Sequence, residues 1–324
     1  MDAHVLTIVL ALLAACANGA ASVLQRKANL QQDEQRRDER PDERRRDRSD
    51  SGGRGVPGIV RPVLRLVRRP LWAAGMAALA LSGALQATAL AVGRLSVVQP
   101  LMATELLFTL MAGSVVFSHR PDGRTWLWFL ALAAGLAVFL SAAAPSAGQP
   151  TAVADGWLRA GPPLAALVTV LWLVGRALRG AAARAGVLGC ATAAGFACTA
   201  ALIKDVTGRI PDGFGALVTA WQLYAAAAVG LLSLVMLQAT LRAGTLAASQ
   251  PALTLGDALL SVALGWVLFG ERIALGSHLG PELAGVALMV AGVVGLSRSP
   301  ALSGGWDTPD RGRTPATVRT GRHD

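Results

Sequence analysis

Two carboxylates stand where a carboxylate is least at home. Glu105 and Asp257 each lie within an apolar run long enough to cross a lipid bilayer, and they read as the only acids well inside such runs. In hydrocarbon an acid must be protonated, paired or facing water, so it marks by default a site where ions or protons bind and leave. A Gln-Pro step precedes each of them, Gln99-Pro100 and Gln250-Pro251. Proline has no N–H and frees a carbonyl one turn upstream. In a membrane that carbonyl persists only against protein or a water-filled cavity. The two steps are therefore expected to shape gates or hinges, with Gln86 and Asn18 as further polar residues lining a cavity. For Trp221, Gln222 and Tyr224, bonding between helices accounts equally well for a polar group in an apolar run.

The elements that must position these residues are membrane helices. The chain has 324 residues, 53% hydrophobic and only 15% charged, with mean hydropathy +0.48. A soluble domain would carry nearer a quarter charged residues. About 20 apolar residues span a ~30 Å hydrocarbon core. Nine stretches qualify: 4–23, 71–92, 96–117, 125–143, 158–175, 186–204, 216–237, 246–269 and 281–297. They are rich in Ala, Leu and Gly and lack strand alternation, which excludes a barrel and predicts an all-α integral membrane bundle. The small residues Ala287, Ala291 and Gly295, four apart, are expected to pack against a neighbouring helix.

The net charge of +10 then becomes a matter of position. With the N-terminus outside, 25 of the 30 basic residues fall in inner loops and the tail, and only Arg94, Arg159, Lys204, Arg209 and Arg272 remain outside. The positive-inside rule thus predicts a multi-pass protein of the cell membrane, N-terminus out and C-terminus cytoplasmic. Residues 31–54 alternate acids and bases with almost no apolar side chain and are expected to be a disordered cytoplasmic insert. Residues 59–69 repeat Arg61, Arg65, Arg68 and Arg69 at helical spacing, which suits a short segment lying on anionic lipid. The tail 299–324 is expected to be disordered. Cys16, Cys190 and Cys198, three thiols inside apolar runs, give no disulfide framework and no metal spacing.

Comparing the halves reveals a repeat. Residues 85–120 and 237–272 share LQAT, Gln-Pro, an acid (Glu105 against Asp257) and Phe-x-x-Arg. Spans 1–4 correspond to spans 6–9, so that 1–144 is a first repeat, 145–185 holds a linking fifth span, and 186–298 is the second repeat. Four spans return the chain to its starting side and the fifth moves it across, so the second copy is inverted, the plan of alternating-access transporters. Measured from the ends of their spans, both acids fall roughly 15 Å deep, near the midplane.

The chain has no HExxH, GxSxG or P-loop, so nothing marks an enzyme, a cofactor or ATP-driven transport. The implied partners are membrane lipid and a small-molecule or ion substrate, with no nucleic acid and with a homodimer among the assemblies allowed. The stretches LQRKANL (24–30), RPLWAAGMAALALSGALQATALAVGRLSVVQPL (69–101) and FSHRP (117–121) resemble the drug/metabolite transporter (EamA-like) superfamily, and most of all its NIPA-type, magnesium-transporter-like branch. The resemblance implies inverted repeats and transport of a small solute or metabolite, driven by an ion or proton gradient. Its NIPA-like side implies Mg²⁺ or another divalent cation as the alternative cargo. Magnesium-type relatives tend to carry an acid in the second span, where this chain has Gln86, and a hard cation favours carboxylate oxygens. A membrane scaffold that holds a partner through its charged loop is the reading from another class.

Overall fold

The computed structural model describes residues 3–46, 70–116, 122–143, 148–153, 155–243, 246–271 and 279–298. Its elements are helices throughout: α1 (Ala3–Arg46), α2 (Pro70–Val92), α3 (Leu95–Met102), α4 (Glu105–Val116), α5 (Gly123–Ala143), α6 (Gly156–Ala177), α7 (Ala181–Thr207), a 3₁₀ turn (Ile210–Asp212), α8 (Phe214–Thr219), α9 (Trp221–Ala243), α10 (Leu246–Phe269) and α11 (Leu279–Ser297). Among the described residues, seven spans are long and apolar enough to cross a bilayer, the α3–α4 pair counting as one. The apolar parts of α5 and α11, Gly123–Phe139 and Gly280–Leu296, are shorter.

The chain is a multi-pass membrane protein, and its burial follows from that solvent. Large apolar side chains point outward, among them Leu81, Val115, Leu127, Leu158, Leu231 and Leu283. The interior is filled by small residues, such as Ala11, Ala14, Ala15, Ala191, Ala193, Ala194 and Ala197. Lipid is as apolar as leucine, so helices associate through close backbone approach and not through hydrophobic exclusion.

Glycines set the pairings. A Cβ on Gly19 of α1 would stand 2.7 Å from the Thr109 nitrogen of α4, and one on Gly75 of α2 would stand 2.9 Å from Gln25 of α1. Gly189 of α7 abuts Ala252 of α10, and Gly195 of α7 abuts Ser233 of α9. Gly285, Gly292 and Gly135 bring α5 and α11 together along their lengths. This last seam corrects the expected stripe: Gly295 is in it, against Trp128, but Ala287 and Ala291 are exposed. These contacts fix the directions as well. α1 runs antiparallel to α2 and parallel to α4; α7 runs antiparallel to α9 and parallel to α10; α5 and α11 are antiparallel.

Two expectations need correction. The charged insert is not disordered from residue 31, because α1 continues unbroken to Arg46. A helix already nucleated in the membrane extends at low cost; Gln, Glu and Arg are good helix formers, and acids precede bases at three- and four-residue spacings. Residues 47–54, the basic segment 59–69 and the tail 299–324 lie outside the described residues. The two Gln-Pro steps also differ. After Pro100 the chain breaks at Ala103-Thr104, through i→i−3 bonds from Ala103 to Pro100 and from Thr104 to Leu101. Pro251, by contrast, sits inside the uninterrupted α10. The Thr104 hydroxyl donates to the Leu101 carbonyl at 2.7 Å and so competes with the helix ladder. Gly256, one residue before Asp257 as Thr104 is before Glu105, has no hydroxyl to do the same.

Candidate functional site

The break in the third span opens directly onto Glu105, the first residue of α4. The close approach at Gly19 holds α1 against α4, and there the Asn18 amide donates to the Glu105 carboxylate. Asp257 enters from α10, which packs along α3. α3 leads through the break into Glu105, so that packing brings the two acid-bearing segments side by side. The two acids are not equivalently held. Glu105 has its amide, whereas Asp257 Oδ1 is buried without a hydrogen-bond partner. One turn further along α10, the buried Ser261 hydroxyl is likewise unpartnered, as is that of Ser96 at the start of α3. A buried polar atom with no partner is uncommon and calls for an occupant or a function.

The remaining expected residues divide. Gln99 and Pro100 are buried in α3, at the α10 contact. Gln86 is half-buried in α2 and Pro251 half-buried in α10, while Gln250 lies in α10 with its side chain outside the described set. Trp221 and Tyr224 face outward, at 53% and 63% exposure, and only Gln222 turns inward.

Sequence reasoning missed a second constellation, at the end of the bundle where α1 begins. Asp205 and Glu271 are both fully buried, and Glu282 is 4% exposed, so Glu105 and Asp257 are not the only acids in the interior. Gly270 explains the position of Glu271. It ends α10 at φ 62, a left-handed conformation natural to glycine, and the chain doubles back so that the Glu271 N–H reaches the Gly265 carbonyl at 3.1 Å. The Glu271 carboxylate then accepts from the N–H groups of Leu95 at 2.8 Å and Ser96 at 2.9 Å, capping α3. An acid at a helix N-terminus satisfies orphan donors and meets the positive end of the dipole. Lys204 of α7 pairs with Glu271 at 3.5 Å, donates to the Gly93 carbonyl at 2.5 Å and lies over the Phe269 ring. The α2–α3 corner is thus tied to the ends of α7 and α10.

Asp205, the next residue, ties a different set. It accepts from the Ala152 N–H at 3.1 Å, the Trp157 indole at 2.8 Å and the Gln222 amide at 3.1 Å, and pairs with Arg209 at 3.6 Å. These bonds fasten the 148–153 segment, α6 and α9 to α7. The available sequence signal was the adjacent Lys204-Asp205 pair at the end of an apolar run, where it reads as an ordinary boundary. Beside the Lys204 cluster lies a cavity of about 250 Å³, lined by His4, Thr7, Gly93, Arg94, Gln149 and Lys204 together with apolar residues. Among the described residues no group of three or more His, Cys, Asp or Glu is arranged to hold a metal ion.

The chain is similar to an uncharacterized protein of Corynebacterium glutamicum, 28% identical over 250 residues that cover 75% of this chain and 85% of the relative. No family model matches the chain. No solved structure matches it.

Proposed function

We propose that the chain is a carrier of the drug/metabolite transporter type, which moves a small solute by alternating access under an ion or proton gradient. The observation that carries this reading is Asp257, whose Oδ1 is buried and unpartnered inside the bundle, on the helix that packs along the segment leading into Glu105. A carboxylate left open there has a use if it takes up and releases a proton or cation during a cycle, since a merely structural acid would have its bonds filled. The packing supports an inverted repeat. Span 1 packs on spans 2 and 3 as span 6 packs on spans 7 and 8, with the same relative directions, while α1 and α7 run oppositely. Spans 4 and 9 pair with each other, as corresponding members of two copies would.

Within this reading Asp257 is the coupling group, Asn18 and Glu105 set its electrostatic surroundings, and the break after Pro100 is the flexible joint of the third span. Divalent cation transport of the NIPA type is the second reading, favoured by two acids on neighbouring packed segments, Glu105 just after α3 and Asp257 on α10. The test is uptake by proteoliposomes of purified protein, under imposed proton, Na⁺ or Mg²⁺ gradients, against a panel of small solutes. Asp257→Asn is expected to abolish gradient-driven uptake, and Glu105→Gln to lower it by at least about tenfold. Equal, fully coupled uptake by wild type and both variants would remove the two acids from the mechanism. Mg²⁺ uptake alone, lost in both variants, would select the second reading.

A further inference from the structure

Hydroxyls inside these helices generally satisfy themselves. Thr192, Thr199, Ser233 and Thr240 each donate to the carbonyl four residues back, at 2.7–2.9 Å. Among the described residues, the buried hydroxyls without a partner are those of Ser96, 1% exposed, and Ser261, 0% exposed. They lie on one seam. Gly265 of α10 faces the start of α3, where its Cβ would stand 3.5 Å from the Ser96 nitrogen. Ser261 and Asp257 precede Gly265 by one and two turns, so all three share the face of α10 that meets α3. α3 starts beside the end of α10 and packs along it, so the two run antiparallel. From the end of the bundle inward, the order is Ser96, Ser261, Asp257. Pro100 has no N–H, so the carbonyl four residues back, that of Ser96, also loses its helical donor. Arg94 and Val97, on either side of Ser96, line the cavity of about 250 Å³. Waters occupy about 30 Å³ each, so that volume holds several.

We infer that this seam is a proton path: Asp257 exchanges its proton with the cavity through Ser261 and Ser96, joined by bridging waters, and the coupling ion of the carrier is the proton. The coupling rests on the carrier reading; the path does not. One turn separates successive groups by about 6 Å along the axis. That is too far for a direct hydrogen bond and is the span of a bridging water. A hydroxyl both donates and accepts. Each relay therefore takes a proton from one side as it gives its own to the other, and ends unchanged. Only Asp257 changes state, from carboxylate to acid. Three oxygens a turn apart cannot close the octahedral shell of Mg²⁺. Among the described residues of the helices packed against α10, charged side chains stand in the end turns. The titratable groups between those turns are Glu105, just beyond α3, and Cys190 and Cys198 of α7. With no cation at that depth on these helices, protonation is what neutralises Asp257. Glu271, beside Ser96, is no relay, because two N–H groups and Lys204 take its oxygens.

The test follows the proton and not the cargo. In detergent-purified full-length protein, infrared difference spectroscopy identifies the C=O stretch of protonated Asp257 as the band lost in Asp257→Asn. Its shift after transfer into D₂O gives the rate of proton exchange. Valine and threonine share a shape and differ by the hydroxyl, so Ser261→Val against Ser261→Thr, and Ser96→Val against Ser96→Thr, separate relay from packing. Each valine variant is expected to exchange at least about tenfold more slowly than its threonine partner. Equal rates within either pair, or no protonated band down to about pH 4, would overturn the path. If one valine variant does not fold, the other pair decides. The cavity end is tested with Cys16, Cys190 and Cys198 replaced by Ala. A bulky maleimide on Gln149→Cys, at the cavity, should slow the exchange, whereas the same label on Ile210→Cys, outside it, should not. Exchange unmoved by the Gln149→Cys label overturns the cavity as the entry. Uptake by proteoliposomes then separates the two readings. Hydroxyl-dependent exchange with no solute moved under any gradient keeps the path and overturns the carrier. Uptake driven by Na⁺ or Mg²⁺, equal within each valine–threonine pair, overturns the proton coupling and keeps the carrier.

Discussion

At the scale of single residues, the buried polar groups fall into two kinds. Asp205 and Glu271 have their oxygens filled by backbone N–H groups, an indole, an amide and cations, which is how a protein fixes a buried carboxylate permanently. Asp257 has an oxygen left open, and Glu105 has one amide from Asn18. Asn18 is therefore the residue whose removal isolates the Glu105 interaction. Asn18→Ala is expected to lower stability by about 1–3 kcal/mol, the range for stranding a buried hydrogen-bonding group. The loss should shrink in a Glu105→Gln background, where the Asn18–Glu105 bond is already gone. Denaturation of the four proteins of that cycle in one detergent measures the coupling, and additive losses would mean that the Asn18–Glu105 bond contributes nothing. Neither kind of acid was distinguishable in sequence: Glu105 and Asp257 stood out by their apolar neighbours, whereas Glu271 follows Phe269-Gly270 and resembles any acid in a short loop.

At the scale of elements, helix ends decide more than helix middles. The start of α5 is capped by Asp122, whose carboxylate accepts from the Thr125 N–H at 3.1 Å and from its hydroxyl. These bonds favour the ionised form and hold the Asp122 carboxyl below its ordinary value. The end of α10 depends on Gly270, around which a Cβ would meet nothing within 4 Å, so its requirement is conformational alone. Gly270→Ala is accordingly expected to cost about 1–2 kcal/mol, the strain of a left-handed alanine. Gly270→Asn should cost less, since its short polar side chain tolerates that region. Equal stability of the alanine variant and wild type would show that the turn placing Glu271 is free to relax. The apolar runs in sequence matched the helices in type and mostly in place, because length and hydropathy alone select a spanning helix, but the run expected at 216–237 is shifted to Trp221–Ala243 by the break at Ala220. The break at Ala103-Thr104 was legible only as a proline three residues too early. That Pro251 leaves α10 whole was not legible at all, since the two prolines look alike and the hydroxyl that differs is four residues downstream of Pro100.

At the scale of the whole molecule, the alternating helices put the start of α1, the ends of α2, α7 and α10 and the cavity at one end of the bundle. On the orientation proposed from the charge bias, that end faces the outside of the cell. With Cys16, Cys190 and Cys198 replaced by Ala, a membrane-impermeant thiol reagent added to intact cells should label Ile210→Cys, which lies in the exposed turn after α7. Arg179→Cys, exposed between α6 and α7, should react only after permeabilisation. The opposite pattern would invert the orientation and move the cavity to the cytoplasmic side.

The sequence by itself determined the solvent and the approximate place of the helical runs, and proposed an orientation from its charges. Each follows from local composition read over about 20 residues, the length that a bilayer imposes. Only the tertiary structure decided which polar groups are satisfied. Whether an acid in an apolar run is a fixed cap or an open site depends on which backbone N–H groups, amides and cations reach it from helices remote in sequence. Leu95 and Ser96 reach Glu271 across more than 170 residues, and nothing of comparable kind reaches Asp257 Oδ1.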